Sequence, residues 1–138
     1  MRLIVADFKD GKSCVTEETD VTPEGDGMSP LPMLDLVLDP PSVRPVGVSE
    51  YRDLGIPFRS MRWQRTRFPA NQLRPFHYTN TIDCHTVIDG WIELLLDDGP
   101  HRLMPGDMTI VKGVDHGWHI GPDGCTVSMI LLGTPGPE

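Results

Sequence analysis

The sequence predicts an all-β protein, and three features of the 138-residue chain support this prediction. Short apolar runs recur at nearly regular intervals, several of them with alternating polar positions. No stretch shows a convincing helical period. Fourteen glycines and fourteen prolines fall between the runs, where they mark turns. Six or so short strands at this spacing favour a sandwich or jelly-roll barrel in a single domain.

The N-terminal part is expected to begin with a β-hairpin. The runs 2–8 (RLIVADF) and 12–18 (KSCVTEE) flank the pair Asp10-Gly11. An Asp-Gly pair suits the positive φ angles of a tight turn, so the two runs are predicted to be neighbouring antiparallel strands.

The next segment combines a loop with one strand candidate. Residues 20–30 have a loop composition, and the run 33–38 (MLDLVL) is a third strand candidate that ends before Pro40. Residues 39–57, rich in proline, are predicted to wrap the outside of the barrel or to form a lid. Residues 1–55 thus supply the N-terminal strands and a loop, within one domain that spans 1–138.

Residues 56–134 form the predicted core of the barrel. Asp98-Gly99 is predicted to be a hairpin turn, and the sequence GPDG at 121–124 to be another turn. The predicted core strands are 58–68, 83–90, 91–99, 108–113, 116–120 and 126–134.

Charge and cysteine content exclude several classes of function. The net charge is −8 and the isoelectric point is near 4.9, with no basic stripe for nucleic acid beyond the arginine cluster in 58–68. Three isolated cysteines argue against a disulfide framework. The sequence has no CxxC motif, which argues against a ribbon-type zinc site. The N-terminal apolar run is too short for a signal peptide or a membrane span. We therefore expect a cytoplasmic protein without nucleic-acid or membrane partners.

The stretch from His77 to Ile120 resembles the cupins, a family of small double-stranded β-helix barrels. Their first motif is written G-x5-H-x-H, followed by E and then G, and the second is written PxG-x2-H-x3-N. His77 matches the first histidine, Asp83 the glutamate and Gly90 the closing glycine. The run LMPGDMTIVKGVDHGW resembles the second motif of single-domain cupins and places His116 at its histidine. The resemblance implies a cupin jelly-roll barrel.

The motif positions that hold a metal in metal-binding cupins are only partly retained. Thr79 stands at the second histidine, Asp83 shortens the glutamate, and Ile120 replaces the asparagine. The resemblance therefore keeps His77 and His116 as ligands and alters the rest of the set.

Strand alternation then predicts which side chains share the barrel interior. The resemblance places Asp83 inward, and residue i+2 on the same strand points to the same side. His101 and His119 are expected to face solvent. The predicted pocket residues are His77, Thr79, Asp83, His85, His116 and Trp118, the last as an aromatic wall.

Three interpretations of this pocket remain open. In the first, His77, Asp83 and His116 hold a divalent metal, as in an iron dioxygenase; Zn, Mn and Ni are further candidates. In the second, no cofactor is needed, because Asp83 orients His85 while His77 or His116 acts from the opposite side as acid or base. In the third, His85 simply bonds Asp83 in a polar core, and the barrel is a non-catalytic ligand-binding module.

Cofactor-free acid–base chemistry is the main prediction. Such a site suits enolisation, dehydration or decarboxylation of an organic acid or polyketide-like intermediate, which makes the protein a lyase or isomerase. Trp118, Trp63, Thr79 and Arg65 are predicted to contact the substrate, and Arg59 or Arg67 are further candidates to grip its carboxylate.

The resemblance also implies a homodimer, since small cupins commonly pair through N-terminal strands. The runs 2–8 and 33–38 are predicted to be edge strands that need cover.

Overall fold

The computed structural model describes residues 1–20 and 49–136. Within these ranges all helix or strand structure is β-strand, which confirms the all-β prediction. The strands are β1 (Arg2–Lys9), β2 (Lys12–Asp20), β3 (Glu50–Tyr51), β4 (Met61–Phe68), β5 (Leu73–Tyr78), β6 (Thr81–Leu96), β7 (Gly99–Leu103), β8 (Met108–Val111) and β9 (His116–Gly133). The described residues include no helix of the length and apolarity needed to cross a membrane.

Part of the N-terminal prediction lies outside the described residues. This applies to the strand candidate 33–38, to nearly all of the loop 20–30, and to most of the segment 39–57.

The strands form one curled sheet in the shape of a half-barrel. Its order is β2-β1-β8-β6-β9-β5-β3, while β4 pairs with β9 and β7 pairs with β6. The two long strands β6 and β9 run antiparallel to each other and each also pairs with two shorter strands. They therefore extend through both halves of the curl, and six of the cavity-lining residues lie on them.

The hairpin between β1 and β2 is confirmed. Asp10 and Gly11 have φ angles of 53° and 75°, and Lys9 pairs with Lys12 across them. β1 is not an edge strand, however, because it lies between β2 and β8. The prediction that residues 2–8 form an edge was wrong for this reason.

Each long strand replaces two predicted strands. The sequence GPDG at 121–124 is not a turn but a part of β9, where the register with β6 shifts: Gly90 pairs with Cys125 and Ile92 with Ile120. Gly90 and Gly124 have positive φ angles of 68° and 73°, which lets the chain absorb the extra residues without reversing direction.

The second hairpin turn is displaced by one residue from its predicted place. Leu96 pairs with Gly99, so Asp97 and Asp98 form the connection between β6 and β7. The carboxylate of Asp97 accepts hydrogen bonds from the backbone and hydroxyl of Ser13, which ties this turn to β2.

Two apolar clusters cover the two faces of the sheet. The larger one fills the inside of the curl and includes Ile4, Ile92 and Leu94, while the smaller one includes Leu3 and Ile82 on the opposite face. Alternation along β6 therefore points Ile82 away from the interior and its neighbour Asp83 into it. The pocket is the polar part of the interior.

Candidate functional site

A cavity of about 270 Å³ opens into the inside of the curled sheet. Its apolar walls are Leu54, Phe68, Trp118, Met129 and Leu131. Its polar lining is Arg52, Arg62, Gln64, Thr66, Arg74, His77, Thr79, Asp83, His85 and His116. The six residues predicted to share the interior thus do line one cavity.

His77 and His116 form the closest imidazole pair of the site. They are paired in register on β5 and β9, and their ring centroids lie 4.5 Å apart. Each Nδ1 bonds a backbone carbonyl two residues earlier, at 2.9 Å to Pro75 and 2.8 Å to Val114. A carbonyl only accepts, so each Nδ1 carries the hydrogen and each Nε2 keeps its lone pair when the ring is neutral.

Burial keeps this pair uncharged at neutral pH. Desolvation lowers the pKa of His77 and lowers that of His116 to about 3, with the charge of His77 as a second cause. Arg52 lowers both values further. Two neutral bases of defined tautomer therefore sit side by side in the cavity.

Burial shifts the pKa of Asp83 upward, whereas it lowers the pKa of the two histidines. Its side chain is buried, and desolvation raises its pKa to about 7, although a hydrogen bond donated by the Thr81 hydroxyl works against the rise. The Thr81 and Thr79 hydroxyl oxygens lie 2.7 Å apart. Asp83 is therefore protonated in a large share of molecules near neutral pH, and it can donate a proton.

His85 shares the cavity with Asp83 but does not bond it. The predicted Asp83–His85 pair was wrong: Asp83 bonds Thr81, and the buried Nδ1 of His85 has no hydrogen-bond partner among the described residues. The His85 ring instead meets Trp118 edge-on at 5.2 Å, and burial lowers its pKa to about 4.

Trp118 is placed as predicted. It is buried and presents its ring to both His85 and His116, with a centroid distance of 5.6 Å to the latter. His101 and His119 lie away from the cavity, where they contact Asp98 and Glu93.

The prediction that Trp63 and Arg65 contact the substrate was wrong, because both side chains point away from the cavity. Trp63 is 75% exposed and Arg65 is also exposed. Alternation on β4 instead turns Gln64, Thr66 and Phe68 inward. The two further arginine candidates are also exposed. Arg59 lies over the Phe58 ring, and Arg67 forms an ion pair with Asp89.

Three other arginines line the cavity, and the sequence interpretation missed all of them. Arg62 is on the inward face of β4, Arg52 follows β3, and Arg74 is on β5. Alternation from His77 would turn Arg74 outward. A register irregularity between these two residues, where two residues of β5 face one of β9, reverses that expectation. Pro75 lies inside that bulge, and a proline within a strand is a sequence signal for such an irregularity.

The polar residues do not fit the metal site that the family motif implies. No group of three or more His, Cys, Asp or Glu side chains suited to a metal ion occurs among the described residues. At the position of the missing histidine, the Thr79 hydroxyl lies within hydrogen-bond distance of Thr81. The family motif thus lacks one imidazole in this chain, and its carboxylate, Asp83, accepts a hydrogen bond from Thr81.

Sequence comparison finds relatives among fungal proteins. No family model matches the chain. A segment of 53 residues is 36% identical to the cupin-domain-containing oxidoreductase virC of Hypocrea virens, and covers 38% of this chain and 27% of that protein. A segment of 43 residues is 42% identical to phomopsin biosynthesis cluster protein C' of Diaporthe leptostromiformis, and covers 30% of this chain and 23% of that one. The matches thus span about a quarter of the length of these relatives.

Solved structures of similar shape are more distant. A cupin-2 domain protein from Shewanella frigidimarina is 19% identical with a TM-score of 0.45, over 51% of this chain and 68% of that one. The DMSP lyase DddQ from Ruegeria pomeroyi is 21% identical with a TM-score of 0.48, over 58% and 41% of the two chains. The polyketide cyclase RemF from Streptomyces resistomycificus is 19% identical with a TM-score of 0.46, over 56% and 63%. These likenesses are too distant to carry an argument about activity.

The sequence match to a cupin-domain protein agrees with the all-strand half-barrel and with the motif residues His77, Asp83 and His116 in one cavity. The resemblance to the cupins that the sequence predicted is therefore confirmed.

Proposed function

We propose that this chain is a small-molecule enzyme of lyase or isomerase type, which moves a proton on an organic acid. The observation that carries the proposal is the His77–His116 pair, in which both Nδ1 atoms are fixed on backbone carbonyls and both rings line one cavity with Asp83. A general base needs a lone pair, and a general acid needs a proton at working pH. The pair supplies the first, and Asp83 supplies the second.

The proposed step begins with removal of a proton from a carbon next to a carbonyl group of the substrate. Nε2 of His116 or His77 accepts this proton, and the C–H electron pair forms a carbon–carbon double bond. In an enolisation the carbonyl oxygen receives a proton from Asp83. In a dehydration a β-hydroxyl group takes that proton and leaves as water. Either way the imidazole ends protonated and Asp83 ends ionised, so the charges balance.

Their low pKa values make the two histidines weak bases in the free protein. Binding of an anionic substrate makes them stronger bases. A negative charge next to an imidazole favours its protonated form and raises its pKa. The base is thus strengthened when an organic acid enters the cavity. This coupling favours acids over neutral substrates.

An oxidoreductase is the second candidate, because the relative virC is described as a cupin-domain-containing oxidoreductase. Against a metal-dependent oxidation stands the lack of a suitable group of three His, Cys, Asp or Glu side chains among the described residues. The non-catalytic ligand-binding alternative has no specific observation in its favour.

Solvent exchange tests the proposal without knowledge of the natural substrate. The protein is incubated in D₂O with a panel of β-keto and β-hydroxy acids, and proton NMR follows loss of the hydrogen next to the carbonyl group and formation of any alkene. We expect exchange or elimination with at least one acid, lost in His116→Gln and in His77→Gln. His101→Gln is the matched control, because His101 contacts Asp98 outside the cavity. Equal exchange in all three variants, or none above the buffer rate in the wild type, would overturn the proposal.

A further inference from the structure

The cavity is positively charged in a protein that is strongly acidic overall. The chain carries a net charge of −8, yet among the described residues three arginines, Arg52, Arg62 and Arg74, line the cavity with one acidic side chain, Asp83. Three guanidinium groups thus face a single carboxyl in the described lining. The positive charge of the cavity attracts anions, although the net negative charge of the molecule repels them.

Arg52 and Arg74 have no carboxylate partner within the part of the chain that the structure describes. No ion pair joins either of them to an acidic side chain among the described residues, whereas Arg2, Arg67 and Arg102 all have such pairs. The Nε of Arg74 is buried and has no hydrogen-bond partner among those residues. A buried donor without a hydrogen-bond partner destabilises the folded state. Such a donor in a cavity indicates a ligand that accepts from it.

Arg62 has a different task. Its guanidinium donates to the backbone carbonyls of Leu54 at 3.1 Å and Gly55 at 3.4 Å, and so fixes the loop that follows Arg52.

We propose that Arg52 and Arg74 form a carboxylate-binding subsite in the cavity, with the apolar body of the ligand against Phe68 and Met129. The Arg74 guanidinium lies 5.8 Å from the centre of the Phe68 ring, so an apolar surface adjoins the charged group directly. A small apolar recess lined by Phe68, Met129 and Trp118 continues from this wall beneath His85. That this ligand is the substrate rests on the proposed function; that the subsite binds a carboxylate does not.

Benzoate is a suitable probe, because it joins a carboxylate to a flat apolar ring, and benzamide is its neutral counterpart. Titration of the whole chain with each compound is followed by the NMR signals of the arginine Nε–H groups. We expect benzoate to shift the Arg74 signal and benzamide to leave it unchanged. Affinity for benzoate should fall by about tenfold or more in Arg74→Gln and in Arg52→Gln, the loss expected for a charge-assisted hydrogen bond. Arg65→Gln, on the outer face of β4, should bind benzoate as the wild type does.

The outcomes separate this proposal from the proposed function. No shift of the Arg74 signal with benzoate, or an equal loss of affinity in Arg65→Gln, would overturn the subsite whatever the activity of the protein. If benzoate binds as expected while histidine variants leave proton exchange unaltered, the subsite stands and the proposed activity fails. Should Arg74→Gln not fold, the signal of the wild-type residue and the Arg52→Gln variant still decide.

Discussion

The Thr81 hydroxyl donates a hydrogen bond to Asp83, two residues further along the same strand, and both side chains are buried. This hydrogen bond favours the ionised form of Asp83 against the effect of burial. The acidity of the proposed proton donor thus depends on a neighbour that does not itself line the cavity.

Thr81→Val should therefore raise the pKa of Asp83 above its value in the wild type. Valine keeps the shape of threonine and removes only the hydroxyl donor. The Asp83 carboxylate then loses the hydrogen bond that partly offsets the rise of its pKa on burial. The titration of the Asp83 carboxyl carbon by NMR measures the change. Thr19→Val, on exposed β2, is the control. An unchanged or lower pKa in Thr81→Val would contradict the assigned role of the hydroxyl.

Asp83→Asn should stabilise the protein at pH 8 and have much less effect at pH 4. The folded pKa of about 7 lies above the ordinary value of 3.8, so the folded state holds a proton that the unfolded state releases as pH rises between these values. Stability is lost over that window, by at most on the order of 4 kcal/mol. Urea unfolding of both proteins at the two pH values tests this. A larger gain at pH 4 than at pH 8 would show the sign to be wrong.

His116→Gln should make the fold less sensitive to acid. The folded pKa of His116 is lowered from 6.5 to about 3, so protonation of the unfolded state favours unfolding as pH falls through this range. Thermal unfolding between pH 7 and pH 4 should show a smaller drop in the variant than in the wild type. His101→Gln serves again as the exposed control. The same acid dependence in all three proteins would contradict the burial assigned to His116.

Activity should survive removal of divalent metals. The described side chains do not supply a metal site, so dialysis against EDTA is expected to leave proton exchange unaltered. Elemental analysis of protein purified without added metal supplies the second measurement. Near-stoichiometric iron together with activity lost to the chelator would favour the dioxygenase instead.

Gly90→Ala should destabilise the protein by several times as much as Gly99→Ala. Both glycines have positive φ, which costs an alanine about 1 kcal/mol or more at either site. At Gly90 an added Cβ would also lie 1.9 Å from the carbonyl oxygen of Gly124, while at Gly99 nothing lies within 4 Å. Chemical denaturation of the two variants compares them. Equal losses would mean that the close approach of the two strands is not needed.

Local patterns in the sequence predicted the all-β class and the residues of the cavity that follow the family motif. Alternation from Asp83 correctly placed His85 inside, and the motif positions of His77 and His116 converged as expected. Alternation failed on β4, because no residue in that strand fixes its phase independently: the arginines and Trp63 look equally suited to either face. It failed again at Arg74, because a bulge reverses the phase in mid-strand.

Contacts between neighbours were the other part that the sequence did not reveal. Asp83 has both Thr81 and His85 at the same spacing, and only the folded chain shows which of them it bonds. The predicted homodimer and cofactor-free state remain predictions; sedimentation of the purified chain tests the first.

The backbone carbonyls of Pro75 and Val114, rather than acidic side chains, select the tautomers of His77 and His116. Main-chain atoms are present whatever amino acid occupies those two positions. Mutation around the cavity can therefore exchange the lining residues while the orientation of both imidazoles is retained. A scaffold of this kind is well suited to acquiring new substrates through laboratory evolution. Lining side chains that set specificity can change while the main chain keeps the histidines oriented for proton transfer.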